Sequence, residues 1–121
     1  MLNNDFFYTR SVNSGPGIVN ATFEINPTHP IFNGHFPGQP VVPGVCMVQI
    51  IKELLEGVLG KSLQLQKADH IKFLSMIVPR TSDVLEASIT YSIDGNAISV
   101  VSTLTKRESV CLKLRGNFVV V

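Results

Sequence analysis

One histidine in this 121-residue chain stands where proton chemistry is easily built: His35, in the run Gly34-His35-Phe36-Pro37-Gly38-Gln39-Pro40. An imidazole titrates near neutrality, so it can take a proton and return it. The prolines around it restrict the loop and favour a preorganised base. Further along, Gly44 falls in the first turn of a predicted helix. Backbone N–H groups there have no intrahelical partner, and can polarise a carbonyl oxygen or hold a developing oxyanion. Gln49 follows about 7–8 Å along the axis, at 1.5 Å per residue. It interrupts an apolar stretch of Val45, Cys46, Met47, Val48, Ile50 and Ile51. A base, a carbonyl site and one polar side chain in an apolar wall suit a long apolar substrate with one polar reacting end. Taken singly, the residues have plainer readings. A histidine after a glycine also serves as a turn residue or a satisfied core group, and a glutamine in a buried helix as a structural hydrogen-bonding residue.

Such residues need a frame. Residues 5–12 and 17–26 read as two strands around Gly15-Pro16-Gly17, with alternation clearest in Val19, Ala21, Phe23 and Ile25. Pro27, Pro30, Gly34, Pro37, Gly38 and Pro40 then exclude a regular element but can hold one fixed path. Pro43 suits the first position of a helix, which should run to Leu59 and stop at Gly60. The first half of this helix is apolar on every side and must be enclosed by other elements, while Lys52, Glu53 and Glu56 bring charge to the second half. Strands are predicted over 62–75, 83–94, 97–107 and 109–121, with Asp94-Gly95 as a hairpin turn. The pattern describes a single α+β domain over 1–121, in which an antiparallel sheet curls around one central helix. It does not specify the strand order.

Composition narrows the context. A hydrophobic fraction of 45% and a mean hydropathy of +0.27 exceed what a short monomer readily buries, so a permanent homo-oligomer interface is expected. Net charge is +1 with Lys and Arg scattered, which argues against a nucleic-acid partner. Cys46 and Cys111 lie in apolar runs and read as buried free thiols of a reducing compartment. The first twelve residues show no signal-peptide pattern, and the apolar run Val41 to Ile51 is too short to span a bilayer, so the cytoplasm is the expected location.

The run from Gly34 to Val45 resembles the signature of the β-hydroxyacyl-acyl-carrier-protein dehydratases of fatty-acid synthesis, which have the hotdog fold. Ile71-Lys72-Phe73 with Val78-Pro79 is similar, more weakly, to a later strand of that family. The resemblance implies a homodimer or trimer of dimers with an acyl tunnel at the subunit interface, lined here by Phe36 and Val45. It implies that His35 abstracts the C2 proton of a 3-hydroxyacyl thioester carried on acyl carrier protein or coenzyme A. The Gly44 N–H would hold the thioester carbonyl and the Val41 carbonyl would orient the histidine. Neither metal nor organic cofactor is implied.

Two positions depart from the family. Its catalytic Glu or Asp falls at Gln49, and an amide has no dissociable acid proton near neutral pH. Losing a general acid costs about 10²–10⁴-fold. His35 could shuttle the proton itself, or Glu53, on the same helix face, could replace the acid. Where the family often has carrier-docking arginines, this chain has Leu74 and Ser75, with Lys72 and Arg80 nearby; each of these two also reads as an ordinary solvated charge. His29 and His70 read as a loop residue and a strand-face residue. Alternatives to an active dehydratase are a degenerate hotdog subunit that binds acyl chains or pairs with an active paralogue, and a hotdog thioesterase in which Gln49 places a water.

Overall fold

A computed structural model describes residues 2–33, 38 and 40–121. Its elements are β1 (Phe7–Gly15), β2 (Ile18–Ile25), a short 3-10 turn (Pro30–Phe32), α1 (Gly44–Leu59), β3 (Leu63–Phe73), β4 (Val84–Asp94), β5 (Ala97–Lys106) and β6 (Ser109–Val120). The six strands form one antiparallel sheet in the order β1-β2-β4-β5-β6-β3. The chain thus leaves β2 in the sheet, runs through α1, and returns as β3 at the far edge.

Alternation sets the core. Phe23 pairs with Leu85, Ile98 with Phe118 and Leu104 with Leu112, and all of them are buried in one cluster with Ile50, Ile51, Leu54 and Leu55 of α1. Gly60 ends the helix in the left-handed conformation at φ 66°, its N–H donating to the Glu56 carbonyl at 2.8 Å. Such a cap strains any residue with a Cβ. Cys46 and Cys111 are buried free thiols, as expected.

Four sequence expectations need correction. The first strand starts at Phe7 and reaches Gly15, because the Phe6 N–H turns back to the Leu2 carbonyl at 2.7 Å and Asn4 takes φ 66°. Pro43 precedes the helix as its N-cap, with φ −62° and ψ 145°; a proline ring fixes φ only, and the extended ψ keeps it outside. The Pro-rich stretch holds a 3-10 turn at Pro30–Phe32, capped by His29, whose Nδ1 accepts from the Ile31 N–H at 3.1 Å. Finally, the first half of α1 is not enclosed on every side. One sheet covers one side of a helix, so Cys46, Met47, Ile50 and Ile51 are buried while Val45 is 76% exposed. Phe73, Leu74 and Met76, at and just after the end of β3, are exposed as well.

Candidate active site

The N-terminus of α1 begins with an extended proline, and among the described residues no side chain caps it. The Cys46 and Met47 N–H groups both turn to the Pro43 carbonyl, at 3.0 and 3.2 Å. The N–H groups of Gly44 and Val45 come too early in the helix to have an intrahelical acceptor. The Val42 N–H donates to the Ile77 carbonyl at 2.9 Å, which ties the entry to the helix to the segment after β3. Between them lies a groove of about 390 Å³, lined by residues that include Val41, Val42, Gly44, Met47, Phe73 and Met76. Phe73 shapes its floor: a Cβ on Gly44 would lie 2.7 Å from the Phe73 Cζ. A glycine here lets an aromatic ring rest against the helix backbone. The groove can take an apolar chain and present N–H donors at one end.

Val41 and Gly44 line this groove, and Val45 does not. His35 and Phe36 lie outside the described residues. Gln49 is on another side of α1: five residues from Gly44 at about 100° each put it about 140° around the axis, and it is absent from the groove lining. One chain therefore brings Gly44 and Val41 together but separates them from Gln49.

Gln49 instead meets Glu53. The Gln49 Nε2 donates to Glu53 Oε2 at 2.8 Å. Glu53 is 4% exposed, and its two oxygens also accept from the backbone N–H groups of Leu2 and Asn3, each at 2.8 Å. This carboxylate anchors the N-terminal segment to the helix, a role the sequence reading missed. With both oxygens engaged by N–H groups, it is not arranged as a substitute acid. The available signal was the i, i+4 spacing of Gln49 and Glu53, which shows that they share a face but not what covers it.

The remaining ionisable groups are placed elsewhere. Burial pushes the Cys46 thiol up, which keeps it protonated and a poor nucleophile. His29 Nε2 pairs with Asp5 Oδ2 at 3.1 Å, and His70 is exposed on the sheet. Lys72 faces Lys113 across β3 and β6, and Arg80 is exposed. Asp83 is held below the usual carboxylate range by hydrogen bonding to Lys106 and by the charges of Lys106 and Arg107. Among the described residues no cluster of three or more His, Cys, Asp or Glu could hold a metal ion, and no helix is long and apolar enough to cross a membrane.

A family model described as ApeI-like, ApeI dehydratase, matches residues 11–110. The chain belongs to the ApeI-like dehydratase family. It is also 36% identical over 80 residues to the 3-hydroxyacyl-[acyl-carrier-protein] dehydratase FabZ of Clostridium acetobutylicum, a match that covers 60% of this chain and 52% of that one. The chain spans about half the length of the curated relatives it matches. Among solved structures, the dehydratase heterocomplex ApeI:P from Xenorhabdus doucetiae aligns with a TM-score of 0.75 at 17% identity, over 93% of this chain and 96% of that one. A hypothetical thioesterase with coenzyme A from Streptococcus pneumoniae aligns with a TM-score of 0.64 at 14% identity, over 98% and 91%. These structural likenesses establish the hotdog fold of this ApeI-like chain, and the α+β architecture expected from the strand and helix pattern is the one found.

Proposed function

We propose that this ApeI-like protein dehydrates 3-hydroxyacyl thioesters borne on acyl carrier protein to trans-2-enoyl thioesters, as part of acyl-chain biosynthesis in the cytoplasm. The observation that carries the reading is the start of α1 at Gly44, without a side-chain cap among the described residues and opening into an apolar groove, within a chain matched to dehydratases over residues 11–110. In this reading the thioester carbonyl accepts from the Gly44 N–H, which stabilises the negative charge that grows as C2 loses its proton. His35 takes that proton, with the Val41 carbonyl orienting its ring, and Phe36 and Val45 bound the tunnel. The C3–O bond breaks as the C2–C3 double bond forms, and His35 returns the proton to the departing hydroxyl as water. No cofactor enters the scheme.

Gln49 lies on a different side of α1 from the groove, so the complete site in this reading is built by two copies, each lending Gln49 to the other. The exposed Val45, Phe73, Leu74 and Met76 supply apolar surface for that homodimer. Purified protein given a 3-hydroxyacyl carrier substrate should yield the enoyl product, and His35→Ala should not. Equal rates for the two, or thiol release in place of enoyl product, would remove the reading.

A second reading follows from Gln49 itself. Because the ApeI:P structure is a heterocomplex, this chain could pair with a paralogue that carries a carboxylate at the corresponding place. Gln49→Glu then decides: a large gain in a homodimer marks a chain weakened by its amide.

A further inference from the structure

A lysine at the end of a strand is ordinarily a solvated charge, but the Lys106 side chain, at the end of β5, is only 18% exposed. Its Nζ lies 3.1 Å from Asp83 Oδ2 and donates to the Val78 carbonyl at 3.4 Å. Both partners belong to residues 74–83, the irregular connection between β3 and β4. A segment with no ladder of its own needs other polar anchors to keep one path. At its near end the Leu74 N–H donates to the Cys111 carbonyl at 2.8 Å, and in its middle the Ile77 carbonyl accepts from the Val42 N–H at 2.9 Å. Successive carbonyls, of Ile77 and Val78, are thus held by different elements, the entry to α1 and the end of β5. That entry has few bonds of its own. Pro40 and Pro43 have no N–H, and Val42 makes the one backbone donation from residues 40–43 among the described residues. The connection also walls the groove, since Ser75 and Met76 line it together with Val41 and Gly44.

We propose that Lys106 is a positioning residue: by holding Val78 and Asp83 it fixes the Ile77 carbonyl, through it Val42, and so the Gly44 N–H at the head of the groove. The ligand class, a thioester whose carbonyl accepts from Gly44, rests on the dehydratase reading. The mechanical path from Lys106 to Val42 does not. An apolar chain binds to the groove walls in the ground state, whereas charge growing on a carbonyl depends on the placement of the N–H donors. A loosened path therefore costs turnover more than binding. Arg107 is a natural control. It pairs with Asp83 Oδ1 at 3.1 Å from a side chain that is 75% exposed, and among the described residues it has no bond to Val78.

Amide hydrogen exchange on the full chain, beside steady-state kinetics, tests this. Lys106→Met keeps an unbranched side chain and removes the ammonium. The Val42 N–H should then exchange about tenfold faster or more, the effect of losing a hydrogen bond to a charged group, while the Ile89 and Val100 amides of the central strands keep their protection. For a 3-hydroxyacyl carrier substrate kcat should fall about tenfold with KM changed by less than about threefold, and Lys106→Arg should restore both the rate and the protection. Arg107→Ala should leave Val42 exchange within about twofold of the wild type. If Lys106→Met does not fold, Asp83→Asn takes its place, and Val42 should exchange about threefold faster. Unchanged Val42 exchange, an equal rise at Val42, Ile89 and Val100, or faster Val42 exchange with kcat intact would overturn the proposal. A wild type that makes no enoyl product would sink the dehydratase reading, and exchange at Val42 would still decide the path from Lys106.

Discussion

The ring of Phe73 lies against the backbone of Gly44, so that a Cβ on residue 44 would stand 2.7 Å from Cζ and 2.8 Å from Cε1. These two residues come from the end of β3 and the start of α1, and their contact sets the shape of the groove beside the helix N-terminus. The neighbour is the tip of a side chain that is 55% exposed, so it can yield by swinging outward.

Gly44→Ala should therefore fold with a nearly unchanged thermal midpoint but lose activity. The methyl and the displaced ring fill the carbonyl end of the groove, and a misplacement of about 1 Å costs about 10² in rate. Steady-state kinetics beside a melting curve separate the two effects. A coincident loss of both would mean that the glycine serves folding alone.

Gly116→Ala should behave in the opposite way. Its Cβ would run into the Lys67 carbonyl oxygen and come within 3.2 Å of the Ala68 Cα, where β3 bulges over β6. Backbone cannot swing aside as a ring can. We expect a loss of about 1–3 kcal/mol, typical of overpacking, read as a shift in the denaturant midpoint.

Asp83 supplies a pH test. Its folded pKa lies below its ordinary value of 3.8, first through the hydrogen bond to Lys106 and then through the charges of Lys106 and Arg107. A depressed carboxyl contributes stability that is present above the unfolded pKa and is lost as pH falls through the folded one. Stability should hold from neutrality to about pH 4 and drop below it. Asp83→Asn should be less stable at neutral pH and should lose less on acidification, as followed by thermal unfolding across that range.

Lys72 and Lys113 sit directly opposite each other on β3 and β6, a like-charge arrangement that weakens a strand pair. Lys113→Glu should raise stability by about 0.2–1 kcal/mol. If these lysines also receive an acidic carrier, the same change should raise KM for the carrier-bound substrate and leave KM for a pantetheine thioester unchanged. An equal response of both substrates would assign the pair no docking role.

Much of this molecule was legible from local pattern. Alternation in β2, the Asp94-Gly95 turn and the stop at Gly60 are properties of neighbouring residues, and they placed the elements closely. The run beginning at Gly34-His35 marks the family, and Val41 and Gly44 both line the groove beside the start of α1. Gln49 was legible as an odd polar residue in an apolar run, but not as the partner of Glu53. That Val45 is exposed while Cys46 and Met47 are buried is not legible, because residue type alone does not say which side of a helix the sheet covers.

The sequence by itself determined which segments become strands and helix, and which residues carry the dehydratase signature, because period, Pro and Gly act within a few residues of themselves. Only the tertiary structure decided that β3 lands at the far edge of the sheet, that Phe73 rests on Gly44, and that Glu53 is a buried anchor. Those outcomes depend on partners distant in the chain: Leu2 and Asn3 reach Glu53 across 51 and 50 residues. No local pattern records a hydrogen bond of that span, and it is these bonds that turn a charged helix residue into the anchor of the N-terminal segment.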